Sequence, residues 1–152
     1  MEYNDKAKWI NTILNELDKV DYLQSIKIIE SCGKACLNSS DVPQKIGSIE
    51  SDIQNKNDIH LLFKLYKEKI YNNSSRLYME KNIIYLKYNE CGCGMIEDVR
   101  INNPFLCHCT RGCTKAIFEK LFDKPVYCQS KKNQFLQGDD ICEKEIEFEN
   151  RI

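Results

Sequence analysis

The sequence predicts an α+β protein in which N-terminal helices pack with a C-terminal antiparallel sheet and one long helix. Three observations predict it. Apolar residues recur at helical spacing as far as about residue 72. Asn72-Asn73-Ser74-Ser75 then punctuates the chain. Beyond it, short Leu-, Ile- and Tyr-rich runs are read as strands, with a single helical stretch among them. The 152 residues suit one domain, 1–152, with a helical half at 1–75 and an α+β half at 76–152.

The first helix spans about 5–20, with Trp9, Ile10, Ile13, Leu14, Leu17 and Val20 expected on its buried face. The second spans about 21–36. Asp21 is its expected cap, and Tyr22, Ile26, Ile29, Cys32 and Cys36 form its stripe. Pro43 suits the first turn of a short third helix carrying Val42, Ile46, Ile49 and Ile53. A fourth, about 58–72, presents Ile59, Leu62, Phe63, Tyr66 and Ile70. Two strands, about 76–80 and 83–88, flank a Lys81-Asn82 turn. An extended segment is expected near 95–100, and Asn102-Asn103-Pro104 reads as a turn. A helix follows at about 111–122, capped by Thr110, with Cys113, Ile117 and Leu121 as its buried line. Strands at about 125–135 and 141–149 close the chain around a turn at Gln137-Gly138-Asp139-Asp140. In the last strand Glu143, Glu145, Glu147 and Glu149 alternate with Cys142, Lys144, Ile146 and Phe148, which gives one solvated face. Lys144 interrupts the apolar side and is expected at its edge.

A net charge of −1 and a pI near 6.2 argue against a nucleic-acid binder, which usually shows a broad basic field. No run is long enough to span a bilayer, and the first residues lack a secretory leader's pattern. Neither nucleic acid nor membrane is therefore an expected partner, and a cytoplasmic location is. Nine cysteines in a reducing compartment point to metal or redox use rather than disulfides. There is no P-loop, Gly-x-Ser-x-Gly, HExxH or GxGxxG.

Chemistry concentrates between Cys91 and Cys113. Cys91-Gly92-Cys93 and Cys107-His108-Cys109 are C-x-C pairs, and Cys113 follows four residues after Cys109. In extended backbone a C-x-C turns both thiols to one face. Cys113 would sit in the first turn of a helix, where unpaired N–H groups favour thiolate. Cys32 and Cys36, spaced i, i+4, could join from the second helix, or could be core residues. The candidate metal ligands are Cys91, Cys93, Cys107, Cys109, Cys113, Cys32 and Cys36. Four thiolates suit tetrahedral zinc or, as the alternative, an iron–sulfur cluster. His108, between two cysteines, is read as a neighbour rather than a ligand. Cys128 and Cys142 are read as core.

The pattern of Cys32-Gly33-Lys34-Ala35-Cys36, Cys91-Gly92-Cys93, Cys107-His108-Cys109-Thr110-Arg111-Gly112 and Gly138-Asp139-Asp140-Ile141-Cys142 resembles the 4-vinyl reductase type of small-molecule-binding domain and its uncharacterised Cys-rich bacterial relatives. Its closing turn and strand are also similar to those of L-2-amino-thiazoline-4-carboxylic acid hydrolase-like proteins. The resemblance covers about 76–149 plus Cys32 to Cys36. It implies an α+β fold, a small ligand, and cysteines that bind metal. Two departures stand out: Lys144 replaces an aromatic, and the strand before Gly138 lacks a cysteine near Gln134.

The functional expectation is a cytosolic, zinc-binding, Cys-rich module that holds a small molecule, as a sensor or regulatory unit. The alternative is a thiol-dependent enzyme, hydrolase-like or redox, whose nucleophile is Cys113 or Cys109 at a helix start.

Overall fold

A computed structural model describes residues 3–55, 57–88, 107–132 and 142–148. Local chemistry sets where its helices begin. The Asp21 carboxylate accepts from the Gln24 N–H at 3.0 Å and starts α2, Tyr22–Asn38. Asp58 does the same for Leu61 at 3.0 Å and starts α4, Ile59–Lys69. Asp41 makes no cap bond at α3, Val42–Ser51. Its carboxylate instead pairs with Lys45 at 2.9 Å, which holds its pKa below the usual value, and Pro43 sits in the first turn. The first helix, α1, covers Tyr3–Leu17.

Strands β1, Leu77–Glu80, and β2, Ile83–Tyr88, form a hairpin. Lys81 and Asn82 turn it with φ of 50° and 64°, the left-handed pair that a two-residue turn of this hand requires. Helix α5, Cys107–Phe122, precedes β3, Val126–Lys132, and β4 is Cys142–Phe148. All neighbouring strands are antiparallel, in the order β1-β2-β4-β3. The protein is therefore α+β, with its sheet in the C-terminal half. The segments expected to hold an extended stretch near 95–100, the Asn102 to Pro104 turn and the Gln137 to Asp140 turn lie outside the described residues.

One face of the sheet carries Leu77, Ile84, Leu86, Val126, Cys128 and Ile146 into a core shared with α3, α4 and α5. Ile46 and Ile49, Leu62 and Tyr66, and Phe118, Leu121 and Phe122 are the helical contributions, all at most 2 % exposed. Phe118 meets Tyr66 edge-on at a centroid distance of 5.4 Å and stacks on Phe122 at 6.0 Å. α2 covers the outer side of α5, and α1 lies on α2. The α1 contact is a smaller apolar cluster around Leu14 and Ile29. Ser25, fully buried, ties α1 to α2 by donating to the Leu17 carbonyl at 2.6 Å.

Three expectations are corrected. On α1 the inward face is Ala7, Ile10, Leu14 and Leu17, while Trp9 is 62 % exposed and Ile13 38 %. Among the described residues its apolar cover comes from α2 and from Cys109, and α1 buries a narrower stripe than its apolar content suggests. On α2 the buried line is Ser25, Ile29, Gly33 and Leu37, one position on from the Cys32 and Cys36 line. Lys144 does not lie at an edge. β4 is an inner strand, Lys144 lies between Leu86 and Ser130, and it is only 3 % exposed on the same side as Ile146.

Candidate thiol site

The site is organised by a contact between glycines and backbone. A Cβ on Gly33 of α2 would overlap the Cys109 carbonyl oxygen and reach within 2.8 Å of the Cys113 nitrogen. Reciprocally, a Cβ on Gly112 of α5 would lie 2.5 Å from the Cα of Glu30 and overlap its carbonyl. Mid-helix glycine costs about 1 kcal/mol against alanine, and here that cost allows two helix backbones to touch. Beside the contact, Arg111 donates through Nε and Nη2 to one Glu30 oxygen, at 2.8 and 2.6 Å. Both side chains are about three-quarters buried.

The two helices run parallel: Tyr22 meets the His108 ring edge-on at 6.3 Å, Glu30 meets Arg111, and Leu37 and Ala116 line one groove. Residues on a helix advance by about 100° each. Cys32 and Cys36 therefore fall to one side of Gly33, and Lys34 to the other. On α5, Cys109 and Cys113 fall to one side of Gly112, and Lys115 to the other. For parallel helices facing each other, both thiol pairs lie on the same flank of the interface. The opposite flank is a groove of about 640 Å³.

The helix start changes the expected geometry of C-H-C. Because α5 begins at Cys107 and not near 111, Cys107 and Cys109 diverge around the helix by about 200°. They do not act as an extended C-x-C pair. Thr110 lies inside the helix, and its hydroxyl donates to the Cys107 carbonyl at 2.9 Å. Cys113 lies in the second turn. The natural pairs become Cys32 with Cys36 and Cys109 with Cys113, each i, i+4.

Burial separates these thiols. Cys32 and Cys36 are exposed; Cys107, Cys109 and Cys113 are half-buried; Cys128 is buried. Cys109 packs on the Leu14 and Ile29 cluster. Cys113 lies near Tyr71 and Tyr66, whose phenols are pushed above their usual value, first by burial and further by the neighbouring ionisable groups, Cys113 among them. Burial pushes the Cys128 thiol up, against the opposing pull of Lys144 and Arg111. His108 is held below the usual histidine value by burial and then by Arg111, with Glu30 acting the other way. Among the described residues, no three Cys, His, Asp or Glu side chains gather closely enough to hold one ion. Cys91 and Cys93 lie outside the described residues.

Sequence reasoning missed the Glu30–Arg111 pair and the groove. The available signal was Gly33 and Gly112, two glycines inside helical patterns, which call for a packing reason.

A family model matches residues 1–152, across both thiol pairs and the whole sheet. The chain belongs to the DUF6144 family. DUF6144 is described as a family of unknown function. Its match takes in α1 and α2 as well as the sheet, so the helix pair that carries the thiols lies within the family's extent. No curated protein matches the chain. Among the described residues of this DUF6144 chain, no helix is long and apolar enough to cross a membrane.

Proposed function

We propose that this DUF6144 chain is a thiol-based metal-binding module, with zinc as its ion, that also holds a small molecule. The reading rests on the glycine contact between α2 and α5 together with ideal helical spacing, which turns Cys32 and Cys36 of α2 and Cys109 and Cys113 of α5 to one flank of it, although among the described residues no three of these thiols gather around one point. Two thiols from each of two helices are the number and type that structural zinc takes, with Cys91, Cys93 and Cys107 as further candidates. A rigid helix pair limits how far the donors spread before metal binds. The resemblance to 4-vinyl reductase-type domains supports the small-ligand part. Reduced thiols in this number fit a cytoplasmic setting.

Protein purified anaerobically under reducing conditions should carry close to stoichiometric zinc by elemental analysis. Cys32→Ser/Cys36→Ser and Cys109→Ser/Cys113→Ser should each reduce that content sharply. Absence of metal in the parent protein, together with unchanged stability in both double variants, would sink the reading.

A second reading, a thiol-dependent enzyme, is favoured by the first turn of α5, where Cys107 and Cys109 sit at the positive end of the helix dipole. It requires one of these two thiols to react with iodoacetamide far faster than Cys32 or Cys36 near neutral pH. Equal or slower labelling removes it.

A further inference from the structure

We propose that the groove on the flank opposite the thiols binds a small multivalent anion, a metabolite bearing two or more phosphate or carboxylate groups. The inference rests on the small-molecule part of the proposed function and is independent of the metal.

The groove exists because of the same glycine contact. Where Gly112 touches Glu30, the backbones meet; farther along, Ser31 and Ala116 are too small to fill the space between the helices. The resulting cavity of about 640 Å³ lies within the usual range of small-molecule sites, roughly 300–1,000 Å³. Lys27 and Lys34 line it from α2, and Lys115 and Lys120 from α5. Lys27 and Lys34 are seven residues apart, two turns on one face of the helix.

Two glutamates also line the groove, but neither cancels this charge fully. The Glu30 carboxylate is held by Arg111, and Glu119 lies 3.7 Å from Lys115. Among the described residues, no carboxylate comes within ion-pair distance of Lys27, Lys34 or Lys120. The chain as a whole carries −1, so three uncompensated ammonium groups around one concavity are a local concentration and not a general excess. Like charges on two facing walls repel, and a multivalent anion between them relieves that repulsion while the concave wall focuses the field. Lysine ammonium groups on long stems adapt to spaced anionic groups without demanding one planar geometry.

The test is isothermal titration of the full chain with fructose 1,6-bisphosphate and, separately, citrate, at low and at moderate ionic strength. The expected result is saturable one-to-one binding of at least one probe, weaker in added salt. Lys27→Gln/Lys34→Gln should lose at least about tenfold in affinity, while Lys64→Gln on α4 should bind like the parent. Which probe binds more tightly reports whether phosphate or carboxylate is the preferred group. Cys32→Ser/Cys36→Ser should keep probe binding, and the lysine variant should keep the parent's zinc content, so the groove and the metal reading fail separately. The proposal is overturned if neither probe binds saturably, or if the lysine variant binds like Lys64→Gln. Tight binding of a single-stranded oligonucleotide that neither probe displaces would also overturn it.

Discussion

Gly33 lies against the Cys109 carbonyl, so that the backbones of α2 and α5 touch with no side chain between them. The opposing atoms belong to the backbone and cannot rotate away. Gly33→Ala and Gly112→Ala should each force the helices apart and cost about 1–3 kcal/mol or more, the range for overpacking a tight core. Urea denaturation followed by circular dichroism measures this. Wild-type stability in either variant would show that the helices pack with more freedom than the contact implies.

The Glu30–Arg111 pair bridges the same interface and is only about one quarter exposed at either side chain. Its coupling should therefore exceed that of a surface pair, at about 1–2 kcal/mol in a double-mutant cycle of Glu30→Gln and Arg111→Gln. The exposed Lys19–Glu16 pair, at 69 % and 63 % exposure, serves as the comparison and should give less than about 1 kcal/mol. Equal couplings in the two cycles would contradict the argument.

Lys144 is buried on an inner strand, so substitutions there should rank by chemistry. Lys144→Met keeps the length and apolar body of the stem and should be the mildest. Lys144→Ala leaves space and should cost more. Lys144→Glu places a carboxylate in the same buried position and should cost at least about 3 kcal/mol. Thermal unfolding of the three variants settles the order, and a Glu variant as stable as the Met variant would refute it.

Alkaline pH should weaken the fold. The Cys128 thiol is raised from 9.0 and the Tyr66 and Tyr71 phenols from 10.0, in each case chiefly by burial. A raised folded-state value means the native chain holds its proton where the unfolded chain has lost it. The stability this contributes is complete below about pH 9 and declines as pH rises beyond it. Urea midpoints measured from pH 8 to pH 11 should fall, and less steeply for Cys128→Ala combined with Tyr66→Phe. The same burial should make Cys128 the slowest of the described thiols to alkylate in native, metal-free protein, and Cys32 and Cys36 the fastest.

The fold was largely legible from local signals. Asp21, Pro43 and the Lys81-Asn82 turn sit where their chemistry predicts, and Ile46, Ile49, Leu62, Phe63 and Tyr66 are buried as their spacing requires. The thiol geometry was less legible. Whether C-H-C is extended or helical depends on where α5 begins, and no strong cap residue marks that point. Which face of α2 is buried was decided by Gly33, whose lack of a side chain hides it from hydrophobic periodicity while making it the closest contact. The Lys144 position depended on strand order, which periodicity along one strand cannot reveal.

That strand order also has a consequence for how the protein is made. β4 is the last described strand to leave the ribosome, yet it sits between β2 and β3. Until it is synthesised, β3 has no sheet partner among the described residues, and the β1–β2 hairpin is joined to no other described strand. The sheet therefore closes late, by joining residues roughly sixty apart in the chain, such as Ile84 and Ile146. During translation the glycine-locked helices can assemble first, leaving the apolar side of the hairpin as the surface in most need of chaperone cover.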